Sequence, residues 1–561
     1  MERTRSIRLR SPALLRLFSM GPVASPYSRP RRWLAAVLAG LALIAPLVAA
    51  AADRANIPLK NWGGFAVSRD AVYDDLERLV TAGLAGRTIL GTKPMSRIEA
   101  ARIVARAIET IRRDDEGAYN ARRDLEPVIE RLTEEFRSEL LSLGVKVSGE
   151  DTAKTGFVTF VPVDRAQVTA GFASRDLSFR NERGQRFQGG ANGGTAFESR
   201  LQVGDFLTFY LEPWVHGNEE YGAARLASGY AKLTLFNVEL LVGRESLWWG
   251  PGLSGSLILS NNAPPLDQIR IGAAEPFLLP WVGEWVGPTK ILAFLAQLEE
   301  RRDHKRAKLA GMRGTIAPFS FLELGISRAM LFGGDDRPRL SLGDYPRAVF
   351  YPPAGDERVA EAKFRNDNLF AIDADLRFRN VDRYFLPARD LRVYGEFGWD
   401  DTCCNSNFIP LKEAISGLVG VHLIGLFGWD EMDARLEYAE TSGLSFVHDQ
   451  FHSGYWTRGE VISHFVGTDG RSIYGRLTHR LTPNLMLGAE VTRATVGSTV
   501  AGFTGPREIR VGGGLDLSYR FWERYSLFTQ YQLSHADNRN FRAGDDGFDH
   551  LLRLELTRSF R

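Results

Sequence analysis

The side chains best suited to chemistry in this chain are tryptophans, arginines and asparagines that lie close together between positions 244 and 262. Indole rings can stack on the apolar faces of sugars, and guanidinium and amide groups can donate hydrogen bonds to hydroxyls or acidic sugars. The residues predicted to bind a polysaccharide are Arg244, Trp248, Trp249, Asn261 and Asn262. In the alternative interpretation, the two tryptophans are anchors at a membrane interface, and residues 250–252 and the asparagines shape tight turns.

Motifs that indicate an enzyme are missing from the sequence. It contains no G-x-S-x-G elbow, phosphate-binding loop or H-E-x-x-H zinc motif. The acidic pairs at 400–401 and 545–546 are expected in loops, whereas glycoside hydrolysis needs two carboxylates held about 5–9 Å apart across a cleft. His448 and His452 lack an evident third ligand for zinc. The sequence therefore predicts a protein that is not an enzyme and needs no cofactor or metal.

The charge balance argues against a general nucleic-acid-binding protein. The 561 residues include 70 Lys and Arg and 68 Asp and Glu, a formal net charge of +2. Residues 1–51 hold eight of the arginines and one glutamate, so the remaining chain has 62 basic and 67 acidic residues. A chain of net negative charge lacks the basic surface that nucleic-acid binding requires.

The first 52 residues are typical of a targeting segment. Arg29, Arg31 and Arg32 precede an apolar stretch that ends in a run of alanines, the pattern of a cleaved secretory signal peptide. An N-terminal membrane anchor is the alternative, and Met1 and Met20 are both possible translation starts. After residue 52, no run of about 18 uninterrupted apolar residues occurs, which excludes a helical membrane protein. A soluble secreted protein or a membrane β-barrel remains.

Residues 53–150 are predicted to form a small periplasmic helical domain. Val72, Leu76 and Leu79 share one helical face, and Gly83 is placed to end that helix. Ser96 and Glu99 form a predicted capping box for a second helix, and a third is expected to run from about residue 125 to 143. Residues 73–84 and 93–100 resemble an S-layer-homology repeat. Three amphipathic helices of this size are expected to dock on a larger structure.

Residues 151–561 alternate with period two and predict an all-β transmembrane barrel. Leu515, Leu517 and Tyr519 alternate with polar residues, a pattern that a soluble sandwich also shows. Three features favour the barrel: short turns between strand pairs, aromatic residues at strand ends, and a final strand that closes with Phe560. At roughly 22 residues per strand and its loops, about 405 residues give about 18 antiparallel strands.

Two blocks of this sequence resemble the capsule assembly protein Wzi family. The first is Gly-Arg-Glu-Ser-Leu-Trp-Trp-Gly-Pro-Gly at 243–252 with Leu-Ser-Asn-Asn-Ala-Pro-Pro at 259–265. The second is Tyr-Trp-Thr-Arg-Gly-Glu at 455–460 with Ser-His-Phe-Val-Gly-Thr-Asp-Gly at 463–470. The resemblance implies an 18-stranded outer-membrane barrel with a periplasmic helical bundle.

The same resemblance implies a lectin-like role in assembling and attaching capsular or other surface polysaccharide. Its expected partners are that polysaccharide, outer-membrane lipids and the barrel-assembly machinery, with no nucleic acid. A carbohydrate-selective porin is the alternative function, because both proteins would show the same strand alternation. The adjacent Cys403 and Cys404 are expected in a loop, where they form a vicinal disulfide or bridge two chains.

Overall fold

Eighteen long antiparallel strands close into a barrel. The computed structural model describes residues 53–59, 72–113, 123–147, 156–218, 222–350, 364, 366–384, 386–400, 414–448, 450–497, 505–522 and 524–560. The signal peptide predicted for residues 1–52, Cys403 and Cys404 lie outside these residues. The strands are β1 Val158–Ala173, β2 Gly190–Val203, β3 Leu207–Gly217, β4 Gly222–Leu235, β5 Val238–Glu245, β6 Leu266–Ala273, β7 Pro288–Gln297, β8 Lys308–Phe319, β9 Leu322–Phe332, β10 Asn366–Phe378, β11 Ala388–Asp400, β12 Ile415–Leu426, β13 Met432–Glu440, β14 Arg471–Thr482, β15 Leu485–Val496, β16 Glu508–Phe521, β17 Tyr525–Asp537 and β18 Gly547–Ser559.

Each strand pairs with its neighbours in sequence, and β18 pairs with β1 to close the wall. The closing register joins Arg165 to Ser559 and Ala173 to Leu551. In β11, Arg392 and Glu396 are buried on the inner face, while the alternate residues lie on the outer face. Leu515 is 65% exposed on the outer face of β16. The predicted alternation and strand number are confirmed, because a barrel wall separates an apolar outside from a polar inside.

The two ends of the barrel differ in the length of their connections. Short connections such as Phe236-Asn237 lie at one end, called here the short-turn end, together with the start of β1 and the end of β18. Trp281, Trp285 and Trp522 are 99%, 83% and 80% exposed at this end, where an aromatic girdle is expected. The opposite, long-loop end carries residues 174–189, 246–265 and 441–470, the β1–β2, β5–β6 and β13–β14 loops.

A helical bundle lies at the short-turn end, as predicted. Its helices are α1 Val72–Thr81, α2 Arg97–Arg113, α3 Glu126–Glu135 and α4 Arg137–Ser142. Gly83 has a φ of +81° and ends α1 through the hydrogen bond from Leu84 N to Leu79 O, 3.1 Å. Within the described residues, no helix is long and apolar enough to cross a membrane.

Two local predictions for the bundle are wrong in detail. The expected third helix is interrupted at Phe136, which has a non-helical φ of −108° and ψ of 23°. The capping box is half formed, since Glu99 N donates to Ser96 Oγ at 3.2 Å, but the Glu99 carboxylate accepts from Lys290 Nζ at 2.7 Å. Lys290 lies on β7, so a partner on the barrel wall replaces the local one.

Candidate functional site

The five residues predicted to bind polysaccharide do not form one exposed surface. Arg244 lies on the outer face of β5, where its guanidinium donates to both carboxylate oxygens of Asp267 at 2.6 and 2.5 Å. Trp248 and Trp249 are 0% and 1% exposed inside the barrel. Burial also excludes the alternative prediction that these two tryptophans are interfacial anchors. Their direct contact with a glycan stays a prediction, for which this structure offers no exposed indole surface.

The β5–β6 loop folds back into the barrel and meets the helical domain there. Thr92 and Lys93, in the connection between α1 and α2, pair with Trp249 and Trp248 as a two-stranded sheet. Gly250 N donates to Gly91 O at 2.8 Å. Gly250 has a φ of +131°, and a Cβ there would lie 2.2 Å from Glu396 Oε1. Segments from the two ends of the barrel therefore meet in its lumen, and glycine is required where they pass closest to the wall.

Glutamates on the barrel wall hold these segments by their backbone. Glu437 accepts from Leu253 N and Ser254 N at 2.6 and 2.7 Å. Glu396 accepts from Leu257 N at 2.8 Å, and two strands away on the same side of the wall Glu323 binds the turn of residues 90–91 in the same way. The inward positions of Glu396 and Glu437 follow from the strand alternation, but their role does not, because the pattern does not show that a loop lies against them.

The two sequence blocks, about 200 positions apart, interlock inside the barrel. Ser260 N donates to Ile462 O at 3.1 Å, and Ser260 Oγ donates to Ser463 O at 2.6 Å. Asn262 Nδ2 donates to Val461 O at 3.1 Å. A Cβ on Gly255 would lie 2.1 Å from the ring of His464. The β5–β6 and β13–β14 loops therefore pack as one unit, called here the plug.

Asn261 joins the N-terminal segment to the plug. Its side-chain amide donates to Leu59 O at 2.7 Å and is fully buried. Nearby, Asn56 donates from its amide to Glu245 at 2.8 Å and accepts from Lys232 Nζ at 2.6 Å. The predicted ligand residues Asn261 and Asn262 thus hydrogen-bond backbone carbonyls of distant segments.

A buried charge cluster fixes the helical bundle at the short-turn end. Glu77 of α1 is 1% exposed and lies 3.1 Å from both Arg392 Nη1 and Arg435 Nη1, and 3.6 Å from Lys93 Nζ. Burial alone would raise the pKa of Glu77, but these three cations together hold it below its usual value. Burial lowers the pKa of Lys93 to about 8, although the Glu77 carboxylate opposes that shift. The ionised Glu77 carboxylate therefore joins α1 to Arg392 and Arg435 on the barrel wall.

The second block also forms a hairpin at the surface of the long-loop end. Trp456 and Thr457 pair with Val461 and Glu460 across a turn of Arg458 and Gly459, both with positive φ. This segment, residues 456–461, is called the crown hairpin. Its indole is half-buried and the Arg458 side chain is exposed.

Neighbouring side chains support the crown hairpin from below and from one side. Arg302 donates to Trp456 O at 2.9 Å and to Gly454 O at 3.0 Å. Arg186, in the β1–β2 loop, pairs with Glu460 at 2.6 Å. The crown hairpin thus carries an aromatic ring and the exposed Arg458, and Arg186 of the neighbouring loop joins it through Glu460. This combination is suited to sugars and acidic groups. Among the described residues, no group of three His, Cys, Asp or Glu side chains could hold a metal ion.

Comparisons with known proteins agree with this architecture. The model of the capsule assembly protein Wzi family matches residues 164–551. The chain resembles the solved Escherichia coli protein Wzi, described as an outer-membrane carbohydrate-binding β-barrel involved in group 1 capsule assembly. The identity is 21%, over 89% of this chain and 99% of that one, with a TM-score of 0.64. Pseudomonas aeruginosa OprD matches with 10% identity and a TM-score of 0.42, over 71% of this chain and 94% of that one.

A curated relative covers a smaller region. An uncharacterized 55.8 kDa protein in the cps region of Klebsiella pneumoniae is 34% identical over 140 residues, which are 24% of this chain. The chain spans about 28% of the length of that relative. The family match does not include residues 53–150, so the S-layer-like resemblance of the helical domain stays a prediction.

Proposed function

Because this chain belongs to the capsule assembly protein Wzi family, we propose that it assists the assembly and attachment of a surface polysaccharide without chemically altering it. The protein is an outer-membrane β-barrel. Its polysaccharide, capsular or of another kind, is bound in a lectin-like manner at the long-loop end. That end faces the cell exterior, because bacterial barrels place their short turns in the periplasm.

The observation that carries this proposal is the filled lumen. The turn of residues 83–95 enters from the short-turn end, and Thr92 and Lys93 pair with Trp249 and Trp248 of the β5–β6 loop. A porin needs a wide aqueous passage, and a lumen crossed by two interlocked segments favours surface binding over the porin alternative. Within the plug, the hydrogen bond from Asn262 to Val461 O holds the crown hairpin in place.

We assign the glycan contact first to the crown hairpin. Trp456 supplies a stacking surface, while Arg458 and Arg186 supply donors for hydroxyls or carboxylates. Arg244, Trp248, Trp249, Asn261 and Asn262 remain proposed for polysaccharide binding. Four of them are buried. They would contact the glycan only if the plug opened, or they would affect binding by shaping the loops at the surface.

The test compares surface variants with a buried one in cells that make the polysaccharide. Trp456→Ala and Arg458→Ala should release polymer of unchanged length into the medium, because loss of a stacking aromatic removes ~1 kcal/mol, or several-fold in affinity. Arg542→Ala, an exposed arginine of another long loop, is the matched control and should retain the polymer.

The outcomes separate the alternatives. Normal retention by correctly folded Trp456 and Arg458 variants would reject the crown hairpin. Loss of retention in a folded Trp248→Ala variant alone would return the contact to the plug residues. Shortened polymer in the medium would indicate catalysis and contradict the non-enzymatic proposal.

The outer surface of the barrel supports two further proposed partners of the protein, outer-membrane lipids and the barrel-assembly machinery. The outer face carries exposed apolar residues on successive strands and is suited to outer-membrane lipids. Leu552, Leu554, Leu556 and Phe560 lie on that face of β18 and resemble the signal by which the barrel-assembly machinery selects outer-membrane proteins. Arg558, which departs from that signal, stacks on Tyr525 and Phe560 at the short-turn end.

A further inference from the structure

A cleft of about 300 Å³ lies at the short-turn end, between α3 of the bundle and the inner wall formed by β14–β18. This volume is at the lower end of the range of small-molecule sites, about 300–1,000 Å³. The cleft is separate from the plug and from the crown hairpin, which lie towards the long-loop end. Its charged lining residues are Asp75, Arg131, Glu134, Glu135, Arg165, Arg480, Arg520 and Arg524.

Five arginines and three acids line the cleft, and the acids are already engaged. Arg131 pairs with Asp75 at 2.7 Å, and Arg165 pairs with Glu135 at 3.2 Å. Glu134 pairs with Arg137 at 2.8 Å, outside the lining. Positive charge is therefore left over inside the cleft.

Arg520 and Arg524 account for this excess. Both side chains are exposed, and neither makes a hydrogen bond or ion pair within the described part of the chain. Arg520 lies near the short-turn end of β16, opposite Ser526 of β17, and Arg524 lies in the turn between those strands. Two accessible guanidinium groups about one short turn apart present donors to an anion.

The wall above these arginines carries neutral hydrogen-bonding groups. Ser518, Ser526, Thr557 and Ser559 line the cleft. The Ser518 hydroxyl is buried and has no hydrogen-bond partner among the residues that the structure describes. Buried polar groups are normally hydrogen-bonded, so the Ser518 hydroxyl indicates a polar ligand in the cleft.

We propose that this cleft binds an acidic sugar unit, a carboxylate-bearing pyranose of the surface polysaccharide, on the periplasmic side of the barrel. Arg520 and Arg524 bind the carboxylate, and the Ser518 and Thr557 hydroxyls bind the sugar hydroxyls. The inference rests on the proposed function, since it names the polymer's acidic units as the ligand. It adds a second contact, at the opposite end of the protein from the crown hairpin.

The test uses the purified full-length protein in detergent with trigalacturonate as the probe. Maltotriose is the control for an uncharged trisaccharide, and inorganic phosphate is the control for an anion without a sugar. Wild type should bind trigalacturonate more weakly as salt rises and should not bind maltotriose at this cleft. Arg520→Ala combined with Arg524→Ala should weaken binding about tenfold or more, because the charge-assisted hydrogen bonds to the carboxylate are lost.

Controls on the same protein keep the result specific. Arg383→Ala removes an exposed arginine from another connection at the short-turn end and should leave the affinity unchanged. Arg520→Lys combined with Arg524→Lys should give an intermediate affinity, because charge is kept while the bidentate geometry is lost. Each variant must show the wild-type shift on heating in detergent gels, which reports a closed barrel.

Two results would overturn the inference. Unchanged trigalacturonate binding by the double alanine variant would place the ligand elsewhere. Competition by phosphate at the same concentration as trigalacturonate would reduce the cleft to a simple anion site. Trp456→Ala should retain trigalacturonate binding at the cleft, so failure of the crown hairpin in cells and failure of this site in solution are separate outcomes.

Discussion

His464 shows how the plug determines the charge of a single residue. Its ring is fully buried, Nδ1 accepts from Val466 N at 3.4 Å, and Nε2 has no partner within the described residues. Burial, with a smaller contribution from the Arg180 guanidinium, lowers the pKa of His464 to about 3. The neutral imidazole is therefore the form that packs against Gly255.

We predict that acid loosens the plug through this residue. Between pH 6.5 and 3 the unfolded chain protonates His464 while the folded protein does not, so stability falls as the pH falls through that window. At pH 4 the loss should be about 3 kcal/mol relative to pH 7. Thermal unfolding of His464→Gln followed by tryptophan emission should show less acid sensitivity than wild type. His452→Gln, an exposed residue of the same loop, is the control, and equal acid sensitivity in all three proteins would contradict this origin.

For single residues, the sequence indicated which side chains could bind a sugar but not where the fold would place them. Tryptophans such as Trp248 and Trp249 occur in sugar-binding surfaces, at membrane interfaces and in packed cores, so their residue type alone does not distinguish these roles. The structure selects the core for them, because the loop that carries them returns into the barrel and meets Thr92 and Lys93. No periodicity in the loop encodes that return, and the partners lie more than 150 positions away. Arg244 lies four positions before Trp248 yet points outward, because it still belongs to the strand.

Among the elements, the connection between α1 and α2 binds the barrel wall from inside the lumen. Leu90 N and Gly91 N donate to Glu323, and the hydroxyls of Thr92 and Thr315 lie 2.7 Å apart. These bonds fix a short turn against β8 and β9 of the barrel wall. The helices therefore act as the base of an insert and not as a separate domain beside the barrel.

We predict that the helical segment keeps the protein nearly closed to ions. The intact protein should show little conductance in planar bilayers, and removal of residues 71–144 should raise it, because the turn of residues 83–95 leaves the lumen with the helices. Glu109→Ala, which breaks an exposed pair with Arg113 on the bundle surface, should leave conductance at the wild-type level. Large, steady, sugar-permeable channels from the intact protein would instead support the porin alternative.

Helix positions were largely predictable because their signals are local. The apolar face of α1 and the stop at Gly83 are encoded within a dozen residues. The split at Phe136 and the diversion of Glu99 to Lys290 were not predictable, since both depend on the packed structure and the second on a strand nearly 200 positions away. Local rules fail here where a tertiary partner competes with a local one.

For the whole molecule, the number and pairing of strands follow from the length of the alternating region, and closure depends on the final strand. β18 pairs with both β17 and β1. We predict that deleting residues 551–561 prevents closure, because two strand edges would then carry unpaired backbone groups in lipid. The truncated protein should lose its shift on boiling in detergent gels and its recovery with outer-membrane markers.

Removing Arg561 alone is the control for that truncation, because β18 ends at Ser559. This variant should keep the heat-dependent shift and the membrane fraction of wild type. A normal shift in the protein that lacks residues 551–561 would show that β18 is dispensable for closure. Recovery of the full-length protein as a soluble periplasmic species would contradict the barrel in the membrane.

The interlock of the two sequence blocks imposes an order of events during biogenesis. Ser260 and Asn262 hydrogen-bond residues 461–463 inside a continuous wall, and the helical connection meets the same loop. Loops from the middle and the last third of the chain cannot be threaded easily through a wall that is already sealed. We therefore expect the meeting of β1 and β18 to be the last step, taken after the interior has assembled. A chain that packs its interior slowly would keep β1 and β18 unpaired for longer. The time needed for maturation would then depend on the packing of the plug and the helical connection, and not on the pairing of the strands.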